Sequence, residues 1–462
     1  MKVRSVEFMH VASLAHTTKT SYKNNRCDTT FTSGDTSASK PVSKNVLSLL
    51  FIASFIAGSV LIGRKLLANK TSQFKPDTFH NDLALALKKE GISVLPEDLT
   101  SIVSPKQFSK LIQQFKPYHF NAGLQVSEKK ASAYSLDEFY KNSINGNFRV
   151  SLHTHSNFSD GKASPELFLE NAQKYADKVA SMNKNDDLPP FTIALTDHDS
   201  VGGCAEIIKL IAKNPQKYKN LKFVAGCEFS VRDGDLTHDI TGLALNPFDK
   251  ELKRGLEYLA EQRVSTVNHF LDSRPLVNDK KITRDDLIAL EQAGAKQGKM
   301  CKRTIENAAG VVSVRNAIKS YYKLAGKSEE HNLIDALGNK DILPIDNVLK
   351  MIKNNGGYAS LTHPIKSFWR YIGDNHLMRL KNKGVDGIEV NHQYSPSTIT
   401  KLGNLYHGKN PDKLFDDITR EYSEFAKKNN MFLAGGTDSH EKHFFGHSPK
   451  ISDEFLQNKL LK

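Results

Sequence analysis

Cysteine is scarce in this chain: Cys27, Cys204, Cys227 and Cys301 are scattered, and no two form a C-x-x-C pair. That spacing excludes a disulfide framework, a Cys-rich zinc module and a thioredoxin-like redox pair, and it suits a reducing compartment. No Walker-type glycine-rich loop is present, so nucleotide hydrolysis of the P-loop kind is excluded as well. Acidic residues are missing from one region in particular. Residues 1–75 hold 11 Lys/Arg against 3 Asp/Glu, a net of +8, which leaves +5 of the total +13 for everything after them. The basic pI therefore describes the N-terminal region and not the body, which lacks the dense basic track that duplex nucleic acid demands. Long apolar runs are equally rare, and the one at 46–62 stands out.

Those 17 residues follow a segment, 1–45, that is rich in Ser, Thr, Lys and Asn and reads as disordered or processed. As a helix, 46–62 would span roughly 26 Å, near the lower limit for crossing a bilayer. Lys40 and Lys44 precede it; Arg64, Lys65 and Lys70 follow. The reading is a single-pass transmembrane helix over 46–67. Its basic flanks suit anionic lipid, and the flanks with the unpaired cysteines place the body on the cytoplasmic side. Residues 68–147 carry helical patterns broken at Pro96, Pro105 and Pro117, a membrane-proximal spacer or brace without chemistry of its own.

From Phe148 the chain alternates strands with helices. Strands are predicted over Phe148–His153, Phe191–Leu195, Leu221–Ala225, Asp239–Leu245, Tyr358–Leu361, Val385–Val390 and Met431–Ala434. Ser164 with Pro165 caps the first helix of this rhythm. Residues 249–354 hold helical patterns only and read as an insertion within a domain over 148–450, with 451–462 as a tail. Such alternation predicts a parallel sheet covered by helices.

Ligand-type residues fall at the strand ends. His153 and His155 share one face of the first strand, so two imidazoles can grip one ion, and Asp160 adds an oxygen after a short turn. His198, Glu228, His363, Asp438 and His440 stand at or just past later strand ends. In a closed β/α barrel those ends form one rim. Any single histidine here has a bland explanation as a satisfied polar residue; seven ligand-type residues in register do not.

The ordered set of motifs resembles the polymerase-and-histidinol-phosphatase (PHP) metallophosphoesterases over roughly 148–447. It comprises His153-Thr154-His155-Ser156 with Ser159-Asp160-Gly161, Thr196-Asp197-His198-Asp199 and Gly226-Cys227-Glu228. His238 ahead of Asp239-Ile240-Thr241-Gly242, Leu361-Thr362-His363-Pro364, Gly387-Ile388-Glu389-Val390 and Thr437-Asp438-Ser439-His440 complete it. The resemblance implies an α/β fold, a distorted (β/α)7 barrel, holding two or three Zn²⁺, Mn²⁺ or Fe²⁺ ions. It implies one metal site of His153, His155, Glu228 and Asp438. Glu228 would bridge to a second ion completed by His238 and His363, and Asp160, His198 and His440 would form a third site. Asp197, Glu228 and His440 are the candidates for catalytic work, with Asp197 and Asp199 orienting neighbouring rings. Glu389 is as well explained by structure as by chemistry. His392, His443 and His447 read as surface histidines. Arg232, Lys302, Arg303 and Arg370 are candidates to grip substrate phosphate.

The chemistry expected is hydrolysis of a phosphate ester by metal-activated water, with no Ser or Cys nucleophile. Within the family's range, the helical insertion points to small nucleotides or the 5′ ends of short RNA, with no stable duplex binding. The alternatives are a phosphatase for histidinol phosphate or phosphotyrosine, a hydrolase of C–N bonds, and a membrane-anchored metal-binding module without catalysis.

Overall fold

The computed structural model describes residues 78–120, 148–182, 188–259, 342–394 and 396–441. Helix α1 (Phe79–Lys89) buries Phe79, Leu83 and Leu87, one apolar stripe at four-residue spacing. Each such side chain contributes about 1.5–3 kcal/mol by leaving water. Helix α2 (Pro105–Gln114) starts at a reciprocal cap: the Gln107 N–H donates to Ser104 Oγ, and the Ser104 N–H donates to the Gln107 side chain, with Pro105 at the first turn. Phe108 on α2 packs against the rings of Tyr358 and Phe432, with centroids 5.3 and 5.9 Å away. Ile102 and Phe120 bridge to Phe223 and Val150 of the sheet. Residues 79–120 are thus built into the core that supports the site.

The sheet begins with β1 (Val150–Ser151), parallel to β2 (Phe191–Leu195), which is parallel to β3 (Leu221–Asp233). β2 is buried at every position, as a strand covered on both faces must be. β3 turns back at Gly234, whose φ of +64° suits glycine, into β4 (Leu236–Leu243). β4 runs antiparallel to β3 and to β6 (Tyr358–Leu361); β7 (Gly387–His392) and β8 (Phe432–Gly436) follow in parallel. β5 (Leu343–Pro344) pairs with the outer end of β3 and stays off this path. The two edges then meet. The Leu152 N–H donates to Gly435 O at 2.9 Å, the Asp438 N–H to His153 O at 3.0 Å and the His155 N–H to Ser439 O at 2.9 Å. The result is a barrel-like α/β ring.

Two expectations are corrected. The sheet is mixed rather than parallel, because β3 and β4 form a hairpin instead of a crossover. β3 also runs eight residues beyond the expected Ala225, so Glu228 lies mid-strand. Its apolar positions Cys227, Phe229 and Val231 alternate with Glu228, Ser230 and Arg232, the pattern of a strand with one polar face.

Helices α3 (Pro165–Met182) and α4 (Gly202–Lys213) share an apolar cluster with α1 and β2. Helices α5 (Ile345–Asn354), α6 (Pro364–Phe368), α7 (Asp374–Lys383), α8 (Pro396–Leu405) and α9 (Pro411–Lys428) close the other side. The run 46–62 and most of 249–354 lie outside the described residues. Among the described residues no helix is long and apolar enough to cross a membrane.

Candidate metal centre

Segments following β1, β2, β6 and β8 converge on Glu228. Its carboxylate is fully buried and crowded by four imidazoles. Oε2 lies 3.1 Å from His153 Nε2, 3.3 Å from His155 Nε2 and 3.2 Å from His198 Nδ1; Oε1 lies 3.0 Å from His363 Nε2. Asp438 Oδ1 stands 3.0 Å from His155 Nε2 and 3.5 Å from His153 Nε2. Asp160 Oδ1 is 3.2 Å from His440 Nε2. Four ligand groups result: His155, Asp160, His198 and His440; His153, His155, Glu228 and Asp438; Glu228, Asp239 and His363; and His153, Glu389 and His392. His153, His155 and Glu228 each belong to two of them, so the groups are contiguous.

These donors fit divalent cations. His153 Nε2 and His155 Nε2 are 3.1 Å apart; two ligands at right angles on one ion at about 2.1 Å would sit about 3.0 Å apart. Asp160 Oδ1 and His198 Nδ1 are buried and make no well-aligned hydrogen bond, facing His440 Nε2 and Glu228 Oε2 at 3.2 Å each, a crowding of donor atoms that a cation would relieve. Imidazole with carboxylate suits zinc, manganese and iron. Three residues of this region, His363, Asp199 and Asp438, have positive φ, of 27°, 48° and 49°.

In the metal-free protein, protons take the place of cations. Burial opposes charge on His155, but its Asp438 and Glu228 partners raise its pKa to about 10. Burial likewise opposes ionisation of Glu228, yet His198 and His153 hold it well below the usual carboxylate range. A metal binding here at pH 7 must displace the proton on His155, so uptake should release protons and affinity should rise with pH towards about 10. Calorimetric titration in buffers of different ionisation enthalpy measures this directly. An apparent enthalpy independent of buffer would mean that the rings are already neutral.

No family model matches the chain. Over 115 residues, 25% of its length, the chain is 33% identical to a 3′,5′-nucleoside bisphosphate phosphatase from Chromobacterium violaceum, and the match spans 34% of that protein. The chain thus covers about a third of the curated relative. The match agrees with the resemblance that the ordered motifs carry. Solved structures similar to it include an amidohydrolase from C. violaceum with bound sulfate and no metal (19% identity, 68% of this chain and 96% of that one, TM-score 0.40). Another is described as a metal-dependent phosphoesterase from Bifidobacterium adolescentis (19% identity, 68% and 95%, TM-score 0.41).

Of the ligand set expected for a PHP protein, the structure gathers His153, His155, Asp160, His198, Glu228, His363, Asp438 and His440. His238 does not join them. On β4 it packs on Phe368, with ring centroids 5.4 Å apart, and burial lowers its pKa to about 4. Its neighbour Asp239 takes the place instead, with Oδ2 3.8 Å from His363 Nε2 and Oδ1 accepting from Ser230 Oγ. Strand alternation makes the two mutually exclusive. Because Glu228 pairs with Thr241 and Ser230 with Asp239, positions 241 and 239 face the cluster. Asp239→Asn should therefore remove close to one equivalent of bound metal, whereas His238→Gln should leave metal content unchanged, both read by elemental analysis.

Asp197 is buried and accepts hydrogen bonds from the Ser156 N–H, the Ser156 hydroxyl and the Ser159 hydroxyl, so it pins the 156–159 turn; Ser159 Oγ in turn lies 3.4 Å from His155 Nδ1, which links Asp197 to a ligand ring through one hydroxyl. Arg232 is exposed on β3, across from Thr237. Arg370 is exposed and lies near Tyr406 and Tyr422 in the outer layer. Lys302, Arg303, His443 and His447 lie outside the described residues. His392 is buried and not a surface group: its Nδ1 is 3.5 Å from Glu389 Oε1. Glu389 proves well placed. Its oxygens lie 3.1 and 3.2 Å from His153 Nδ1, and it accepts the His363 backbone N–H at 2.8 Å. That contact leaves His153 Nε2 free to face the cluster. Lys366 reaches Asp438 and was not singled out by the sequence; its position one turn after His363 was the available signal.

Proposed function

We propose that this chain is a metal-dependent phosphoesterase that removes terminal phosphate from small nucleotides or from the 5′ ends of short RNA. The observation that carries the reading is the single Glu228 carboxylate shared by two ligand groups, which sets two cation positions side by side. When bound, divalent ions there supply an activated water and neutralise phosphate charge. The chain's own residues do the rest. Glu228 fixes the separation of the two groups, and Glu389 fixes the tautomer of His153. The side chain of His440 is 29% exposed, the most open of the five clustered imidazoles, and its Nδ1 is held 2.8 Å from Asp438 O, so it meets the substrate at the mouth. The nucleotide part rests on the 33% match to the bisphosphate phosphatase. In the same reading, residues 46–62 hold the protein in a membrane with the catalytic body in the cytoplasm, on the strength of that run and its basic flanks.

Purified full-length protein loaded with Mn²⁺ should release phosphate from a nucleoside 3′,5′-bisphosphate, with little dependence on added salt. If bisphosphates and short RNA are untouched while histidinol phosphate or phosphotyrosine turns over, the nucleotide assignment fails. Turnover of no phosphate ester would leave a metal-binding module. The anchor is tested separately by fractionation: full-length protein that is soluble after gentle lysis, without trimming, would exclude it.

A further inference from the structure

The donors of the centre are not evenly mixed. His155, His198 and His440 with Asp160 form a group of three imidazoles and one carboxylate, whereas Glu228 and Asp239 with His363 form a group of two carboxylates and one imidazole. His153, His155, Glu228 and Asp438, two of each kind, lie between them in composition. The centre therefore runs from a nitrogen-rich end to an oxygen-rich end.

Asp239 sets the character of the second end. The strand register that turns Asp239 inward turns His238 out towards Phe368, so β4 brings an oxygen donor where its neighbour would have brought a nitrogen. Ser230 Oγ donates to Asp239 Oδ1 at 2.8 Å, while Oδ2 lies 3.8 Å from His363 Nε2. The neighbours of the two ends differ in the same sense. Lys366, a compact and strongly hydrated charge, lies 3.3 Å from Asp438 Oδ2 with Glu228 and Asp239 as further acidic neighbours. Asp160, at the other end, is met by rings, with His440 Nε2 at 3.2 Å and His198 Nε2 at 3.9 Å.

Carboxylate oxygen suits manganese and magnesium, and imidazole suits zinc and iron. Zinc outranks manganese on a shared donor set, and each imidazole exchanged for a carboxylate narrows that advantage. We propose that the centre takes up two different metals, zinc at the group of His155, Asp160, His198 and His440 and manganese or magnesium at the group of Glu228, Asp239 and His363, with Asp239 as the residue that selects the second. The inference rests on the metal-centre reading and not on turnover of any phosphate ester.

The test uses metal-stripped full-length protein beside Asp239→His, Asp239→Glu and His440→Gln. Each is equilibrated with free Mn²⁺ held about a hundredfold above free Zn²⁺, which offsets the order that ranks zinc above manganese. Elemental analysis after gel filtration reads both metals, and electron paramagnetic resonance reads bound Mn²⁺. The unaltered protein should hold both. Asp239→His should exchange most of one equivalent of Mn²⁺ for Zn²⁺, and Asp239→Glu, which keeps an oxygen donor, should retain Mn²⁺. His440→Gln should lose Zn²⁺ and retain Mn²⁺. An unaltered protein that holds one of the two metals alone overturns the inference, and so does Asp239→His with an unchanged zinc-to-manganese ratio. If Asp239→His binds fewer ions, loss confined to Mn²⁺ supports the assignment and loss of Zn²⁺ overturns it. Failure of the unaltered protein to bind any divalent ion overturns the metal-centre reading itself.

Discussion

Glu228→Gln should strip metal and activity together while leaving the fold in place. Glutamine matches glutamate in shape, so the mid-strand backbone of β3 and its pairing with β4 are untouched. What disappears is the one negative charge that four imidazoles and two ligand groups share. Removing one partner from a buried, charged network costs about 3–5 kcal/mol, because the remaining groups are left uncompensated. Activity should fall with the metal, since the water and the charge neutralisation expected of the ions go with them. Metal per chain should fall by more than one equivalent, since the carboxylate serves two groups. Elemental analysis and kinetics read the effect, with circular dichroism as the control for folding. Full metal content and near-normal turnover would remove Glu228 from the site.

The second large effect is expected at a residue with no chemistry. Gly436 sits where β8 closes on the segment after β1, and a β-carbon there would lie 2.4 Å from His153 Cβ and 2.5 Å from His153 N. The His153 atoms it would meet are Cβ and backbone, which no rotamer change can move. Gly436→Ala must therefore push β8 away, straining the hydrogen bonds from Leu152 N–H to Gly435 O and from Asp438 N–H to His153 O that join the ring. Overpacking costs about 1–3 kcal/mol and each weakened backbone hydrogen bond about 1 kcal/mol. A lower melting temperature and loss of metal should appear together. Gly255→Ala is the matched control. Its added carbon would meet Met351 Cε at a similar 2.6 Å, but that is the end of a flexible side chain. Helix propensity then favours alanine by roughly 0.5–1 kcal/mol. Equal destabilisation by both substitutions would contradict the account.

Much of the centre was legible because its signals are local. His153 and His155 are two residues apart, and strand alternation alone puts them on one face. The Thr-Asp-His-Asp and Thr-Asp-Ser-His segments each stand at the end of a short apolar run that could only be a strand. Asp239 was not legible. Choosing it over His238 requires the register of β4, which is set by pairing Glu228 with Thr241, thirteen residues away in sequence. His392 looked like a surface histidine because much of what surrounds it is distant in sequence: besides its neighbours Glu389 and Tyr394, it meets His153, His363 and Asp438. Asp197 stands beside His198 in sequence, yet its carboxylate turns to Ser156 and Ser159, and through the Ser159 hydroxyl, 3.4 Å from His155 Nδ1, it meets a different ring.

The sequence by itself determined the donor types, their order along the chain and their placement at element ends, since periodicity and turn chemistry act over a few residues. Tertiary structure alone decided which donors lie together, that Asp239 rather than His238 faces the cluster, and that Lys366 stands beside Asp438. Those choices depend on register, ring closure and burial, which are set by contacts between residues tens to hundreds of positions apart. A one-residue change of strand register exchanges every inward side chain for its neighbour.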